Sequence, residues 1–152
     1  QRCGSADAAL ALLQSVPHSG CASYFVGQKN QAWVIETAPG HVKIVPPDKY
    51  FLTLANHFIS EELVPLDIKN NAFPENNSIR RDSHAAFFIM KNRHKLDTET
   101  AKTILSHREG DIYSTEGNFI TRYAMIYEED SGYFTLTENN KGKRKYKKIK
   151  IG

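Results

Sequence analysis

The sequence predicts an α+β domain built of antiparallel sheets with helices. Three observations support this. The elements run in the order helix, strands, helices, strands. The strand candidates are separated by short turn signals, at Gly27–Asn30, Pro39–Gly40 and Asp130–Gly132, which suit hairpins. Helical periodicity is confined to two stretches and does not alternate with every strand, and such segregation defines the class. A chain of 152 residues fits one domain, so 1–152 is read as a single domain.

Ser5 is placed to cap a first helix, with Asp7 in its first turn and an apolar stripe at Ala8, Leu12, Leu13 and Val16. Pro17 and Gly20 end it. Ala22–Val26 and Ala32–Thr37 read as a hairpin. Val42, Ile44 and Val45 continue as a third strand, Pro46–Pro47–Asp48 breaks it, and Tyr50–Ala55 reads as a fourth. From Ile59 to Asn77 the pattern dissolves into a long loop marked by Pro65, Pro74, Asn70–Asn71 and Asn76–Asn77. Loops of that length usually carry function or cover something. Ser78 opens a helix to about Asn92, with Ala85, Phe88 and Ile89 on one face. Asp97 or Thr98 caps a short helix with Ala101, Ile104 and Leu105 inward, and Gly110 stops it. Strands follow over Thr121–Tyr127, Tyr133–Thr137 and Tyr146–Ile151, with a turn at Asn139–Gly142 between the last two.

Composition excludes several classes. A hydrophobic fraction of 40% with 24% charged residues supports a packed core rather than disorder. A net charge of +3 is too small to imply a nucleic-acid partner. Cys3 and Cys21 are too few for a disulfide scaffold or a cysteine-built zinc site. No apolar run approaches the roughly 20 residues of a membrane helix, so no membrane partner is expected. No signal-peptide pattern is visible. The six histidines contain no His-x-x-x-His pair, and neither a metal nor a cofactor is expected.

Four pieces, in this order, resemble one superfamily. Gln31–Ala32–Trp33–Val34–Ile35–Glu36–Thr37–Ala38–Pro39–Gly40 resembles the central strand and turn of linear amide C–N hydrolases, the group of penicillin acyltransferase-like enzymes and bile-salt (choloylglycine) hydrolases. Ala55–Asn56–His57–Phe58 resembles the Thr-Asn-His-Phe signature of the acyltransferase-like branch. Asn77–Ser78–Ile79–Arg80–Arg81 resembles its Asn-Ser-x-x-Arg helix start, and the last strands resemble its closing hairpin. The resemblance implies part of a four-layer αββα N-terminal-nucleophile (Ntn) hydrolase fold. It further implies that 1–152 is the C-terminal portion of a larger domain. The implied nucleophile is an N-terminal cysteine whose free α-amine acts as base. Its thiolate attacks an amide carbonyl, and water or an amine then takes the acyl group.

The resemblance assigns Asn56 to the oxyanion hole or the substrate amide, a task that suits an Asn amide at a strand end. A loop Asn capping a turn is the other reading. Arg81 matches the helix-start arginine that approaches the nucleophile and binds polar substrate groups. Arg80 is its neighbouring alternative for substrate binding, about 100° away around the helix. His57 is a further substrate-side candidate. Following Asn56 along a strand it faces the other way, which fits a hydrogen bond beneath the loop. Glu36 reads as a solvated or paired strand residue. Cys21 opens a strand as a nucleophile would, but no Arg and Asp follow at the needed distance, so it reads as a small semi-buried side chain. Cys3 has less support still. The nucleophile is therefore expected from an N-terminal chain of the same protein.

Two other functions compete with this enzyme fragment. One is a non-catalytic module of the same fold that binds a ligand or a protein. The other is a basic binding domain using the stretch Lys141–Lys150. That stretch also reads as a solvated edge whose lysines deter strand-to-strand aggregation. A small-molecule amide or acyl compound is the expected substrate of the enzyme.

Overall fold

The strand propensity around Trp33 and the helix caps at Ser5 and Asp97 organise a computed structural model that describes residues 3–29, 31–47, 51–67, 78–114, 120–140 and 143–150. Expectations that fall on Asn30, Asp48, Tyr50, the Asn- and Pro-containing run 68–77, Gly142 and Ile151 lie outside the described residues. The chain divides into two compact units, Gln1–Asp82 and Ser83–Gly152.

In the first unit, helix α1 spans Ala6–Ser15. Ser5 Oγ accepts the Ala8 N–H at 3.1 Å, satisfying one orphan donor of the first turn. Val16 leaves the helix in extended backbone, as a residue before proline prefers. His18 Nε2 lies 2.7 Å from the Leu13 carbonyl, which partners one of the last-turn acceptors. The inward face differs from the expected stripe. Ala6 is buried and Ala9, Leu10 and Leu13 are half-buried, while Ala8, Leu12 and Val16 are exposed. Apolar residues occupy nearly every position from Ala8 to Leu13, so the sequence pattern has no sharp polar side to fix the rotation.

Strands β1 (Ala22–Gln28), β2 (Gln31–Ala38) and β3 (His41–Val45) form an antiparallel sheet in the order β1-β2-β3. Ala38 pairs with His41 around Pro39–Gly40, and Gly40 has φ 77°. Proline first and a left-handed glycine second is the chemistry of a type II turn. β2 is the centre strand, and Val34 through Ala38 are all buried. Tyr24, Ile35 and Ile44 form one cross-strand row, and Phe25, Val34 and Val45 the next. By alternation Trp33 and Ile35 share a face, while Val34 and Glu36 share the other. Ala38 packs with Phe58 and Leu63 in a buried cluster.

Residues 51–55 are not a strand. Phe51 and Thr53 among apolar neighbours supply propensity, but a strand also needs a neighbour to receive its N–H and C=O groups. Among the described residues none pairs with them. The loop after Ile59 is not structureless either. Residues 61–63 turn, and Val64–Leu66 form a 3₁₀ helix with Pro65 in its first turn.

Helix α2 runs Ser78–Lys91, and the boundary between the units falls within it. In the second unit, Asp97 caps helix α3, Thr98–Ile104, by accepting the Thr100 N–H at 2.8 Å. α3 ends at Ile104, earlier than the expected stop at Gly110. That glycine has a different task. A Cβ there would meet Nδ1, Cβ and Cγ of His84 at 2.8, 2.9 and 3.0 Å, so only glycine lets this loop approach α2 so closely. His107 stacks on Phe88 with ring centres 4.0 Å apart, joining the same loop to α2.

Strands β4 (Tyr123–Glu128), β5 (Tyr133–Asn140) and β6 (Lys143–Lys150) form a second antiparallel sheet in the order β4-β5-β6. Gly132, at φ 66°, closes the first turn and donates its N–H to the Glu128 carbonyl at 2.9 Å. Thr135 and Thr137 on the centre strand are buried. The described residues are thus α+β with two antiparallel sheets, as the sequence predicts. Among them no helix is long and apolar enough to cross a membrane.

Candidate functional site

The predicted site lies in the first unit, where the turn at 56–60 meets the start of α2. Ser78 and Arg81 stand three residues apart on α2, and so on one helix face. Both reach Asn56. Arg81 Nη2 donates to Asn56 Oδ1 at 2.7 Å, and the Asn56 backbone N–H donates to Ser78 Oγ at 2.6 Å. Ser78 Oγ also lies 2.8 Å from His57 Nδ1, with the donor set by the imidazole tautomer. Ser78 is 1% exposed, so its two bonds are largely shielded from water, while the Arg81–Asn56 bond is exposed.

The next residues are held by carboxylates. Both Asp67 oxygens accept the Phe58 N–H, at 3.2 and 3.0 Å. Glu36 Oε1 accepts the Ile59 N–H at 2.6 Å, and its Oε2 accepts the Ser60 N–H at 2.9 Å and the Ser60 hydroxyl at 2.5 Å. Glu36 is 0% exposed, which corrects the solvated half of the expectation: it is paired, and to backbone. A carboxylate offers only acceptors, so three donors suit it. Side chains therefore fasten every residue from Asn56 to Ser60 at its backbone or its own side chain. Lys43 and Glu62 add an exposed ion pair at 2.5 Å beside this segment, worth little.

The structure joins Asn56 and His57 through Ser78, and Arg81 to Asn56 directly. Arg80 is exposed on α2, and the bond to Asn56 comes from Arg81. Cys3 and Cys21 are free thiols. Cys21 is exposed just before β1, more open than the semi-buried position expected of it, and neither thiol enters the hydrogen-bond set around Asn56. Among the described residues no group of three or more His, Cys, Asp or Glu side chains could hold a metal ion. Sequence reasoning missed the fastening roles of Ser78, Asp67 and Glu36. For Ser78 the signal was present, because Ser-x-x-Arg at a helix start puts both side chains on one face. For Glu36 and Asp67 the partners lie 23 and 9 residues away, beyond any local pattern.

Chemically, the arrangement offers an exposed amide and a guanidinium side by side. With Oδ1 taken by Arg81, Asn56 keeps its NH₂ for an acceptor such as a carbonyl oxygen. Polarising a carbonyl is work done in acyl transfer.

A model of the acyl-coenzyme A:6-aminopenicillanic acid acyl-transferase family matches residues 1–143, and the chain belongs to that family. No curated protein matches it.

Proposed function

We propose that residues 1–152 are the C-terminal portion of a cysteine Ntn-hydrolase domain that cleaves or forms linear amide C–N bonds. The two antiparallel sheets and their helices are the later part of an αββα sandwich in this reading. The observation that carries it is the 2.7 Å bond from Arg81 to Asn56, whose backbone N–H is held by Ser78.

In the proposed reaction a cysteine thiolate from a preceding segment attacks the amide carbonyl carbon, and the C=O pair moves onto oxygen. Asn56 Nδ2–H donates to that oxyanion, while Arg81 holds the Asn56 amide in place and adds positive charge nearby. The intermediate collapses, the C–N bond breaks, and the amine leaves with the proton held by the nucleophile's α-amine. A thioester remains, which water or a second amine attacks. In this reading His57 and Arg80 are the further groups that would meet the substrate.

The test is an acylation map. The full-length protein is treated with an acyl p-nitrophenyl ester, and peptide mass spectrometry locates the acyl group. The expected result is one adduct, on an N-terminal cysteine outside residues 1–152. An adduct on Cys21 or Cys3, or none at all, overturns the reading.

A further inference from the structure

The lysine-rich last strand is left unused by the catalytic reading. From 145 to 150, lysine occupies 145, 147, 148 and 150. β6 ends its sheet, and among the described residues no strand lies beyond it. Such an edge presents a row of N–H and C=O groups open to another strand. Lys145, Lys147 and Ile149 stand opposite Glu138, Leu136 and Phe134, which in turn stand opposite Tyr123, Met125 and Tyr127. All nine therefore belong to one sheet face. Lys145 and Lys147 are exposed there, and Tyr123, Met125 and Tyr127 are 63%, 59% and 53% exposed. On the opposite face Lys148 Nζ sits 4.3 Å from the Tyr133 ring centre and 3.8 Å from Glu128 Oε1.

We propose that the outer edge of β6 docks an extended acidic peptide segment of a partner protein, which joins this sheet as a fourth strand. A strand satisfies both the donors and the acceptors of the edge, which a membrane surface does not. Lysines on both faces of β6 fit carboxylates at successive partner positions, and opposite charges facing each other across strands are favourable. A second copy of β6 would set lysine against lysine, which is unfavourable. Nucleic acid is the weaker fit. The strand's one aromatic, Tyr146, lies under Lys102 at 5.0 Å with its hydroxyl 3.5 Å from Ser106, so it offers no stacking platform. Alternate side chains of the docked strand would extend over the exposed Tyr123, Met125 and Tyr127 row.

The probe is a short labelled peptide of alternating glutamate and valine, titrated into the full-length protein by fluorescence anisotropy. Controls are a glutamine–valine peptide, a single-stranded oligonucleotide and phosphatidylserine vesicles. The acidic peptide is expected to bind, to weaken as salt is raised, and to slow hydrogen exchange of β6 amides. Lys147 and Lys150 face Leu136 and Tyr133, so reversing them sets no acid directly opposite an acid within the sheet. The double variant K147E/K150E should bind the acidic peptide about tenfold more weakly and gain affinity for a lysine–valine peptide. A urea unfolding midpoint equal to the parent's shows that the variant is folded. Equal binding of the glutamate and glutamine peptides, indifference to charge reversal, unchanged exchange in β6, or binding of oligonucleotide or vesicles without peptide overturns the proposal.

Discussion

At the scale of single residues, the site is a set of backbone groups fastened by buried side chains. Glu36 has two backbone N–H donors and one hydroxyl at its carboxylate, in a position without solvent. In Glu36→Gln one acceptor oxygen becomes a donor facing donors. An unsatisfied buried group of this kind costs about 1–3 kcal/mol. Urea unfolding should therefore show an unfolding free energy lowered by that amount, seen as a lower midpoint with an unchanged slope, whereas Glu36→Gln with wild-type stability would deny the carboxylate its structural task. The sequence exposes Asn56 and Arg81 because the family pattern names them. It does not expose Glu36, whose strand position is the same whether it faces water or a loop 23 residues on.

At the scale of elements, local chemistry was readable wherever it was self-contained. Ser5 and Asp97 cap α1 and α3, Pro39–Gly40 turns β2 into β3, and Ser78 begins α2. What was misread depended on neighbours: the rotation of α1, the run 51–55 and the end of α3. The Asp97 cap carries a pH dependence. The Thr100 backbone N–H, then the Thr100 side chain, lower its carboxyl below the usual range. A depressed folded value means that the cap's contribution is full above the ordinary aspartate value and is lost as pH falls through the lower one. The Thr100 amide resonance in a pH titration should follow that loss, and in Asp97→Asn, which keeps an acceptor but no titrating group, it should stay flat. A wild-type resonance equally flat through the acid range would contradict the assignment.

At the scale of the whole molecule, family membership over residues 1–143 and the antiparallel α+β architecture agree with each other. The family pattern was legible because its motifs are short and ordered along the chain. The bonds from Ser78 to Asn56 and His57 and from Arg81 to Asn56 were not, because they form only when the 56–60 turn closes on α2. In the proposed reaction the molecule contributes a fixed polar pair, Asn56 and Arg81, to chemistry that a cysteine thiolate completes.

The most direct test of that claim is the rate of linear-amide cleavage by the full-length protein with Asn56 replaced by alanine. Removing an oxyanion donor should lower kcat by roughly 10²–10³ while KM changes little. Parental kcat in Asn56→Ala, in protein that still unfolds at the parental urea midpoint, would contradict the account.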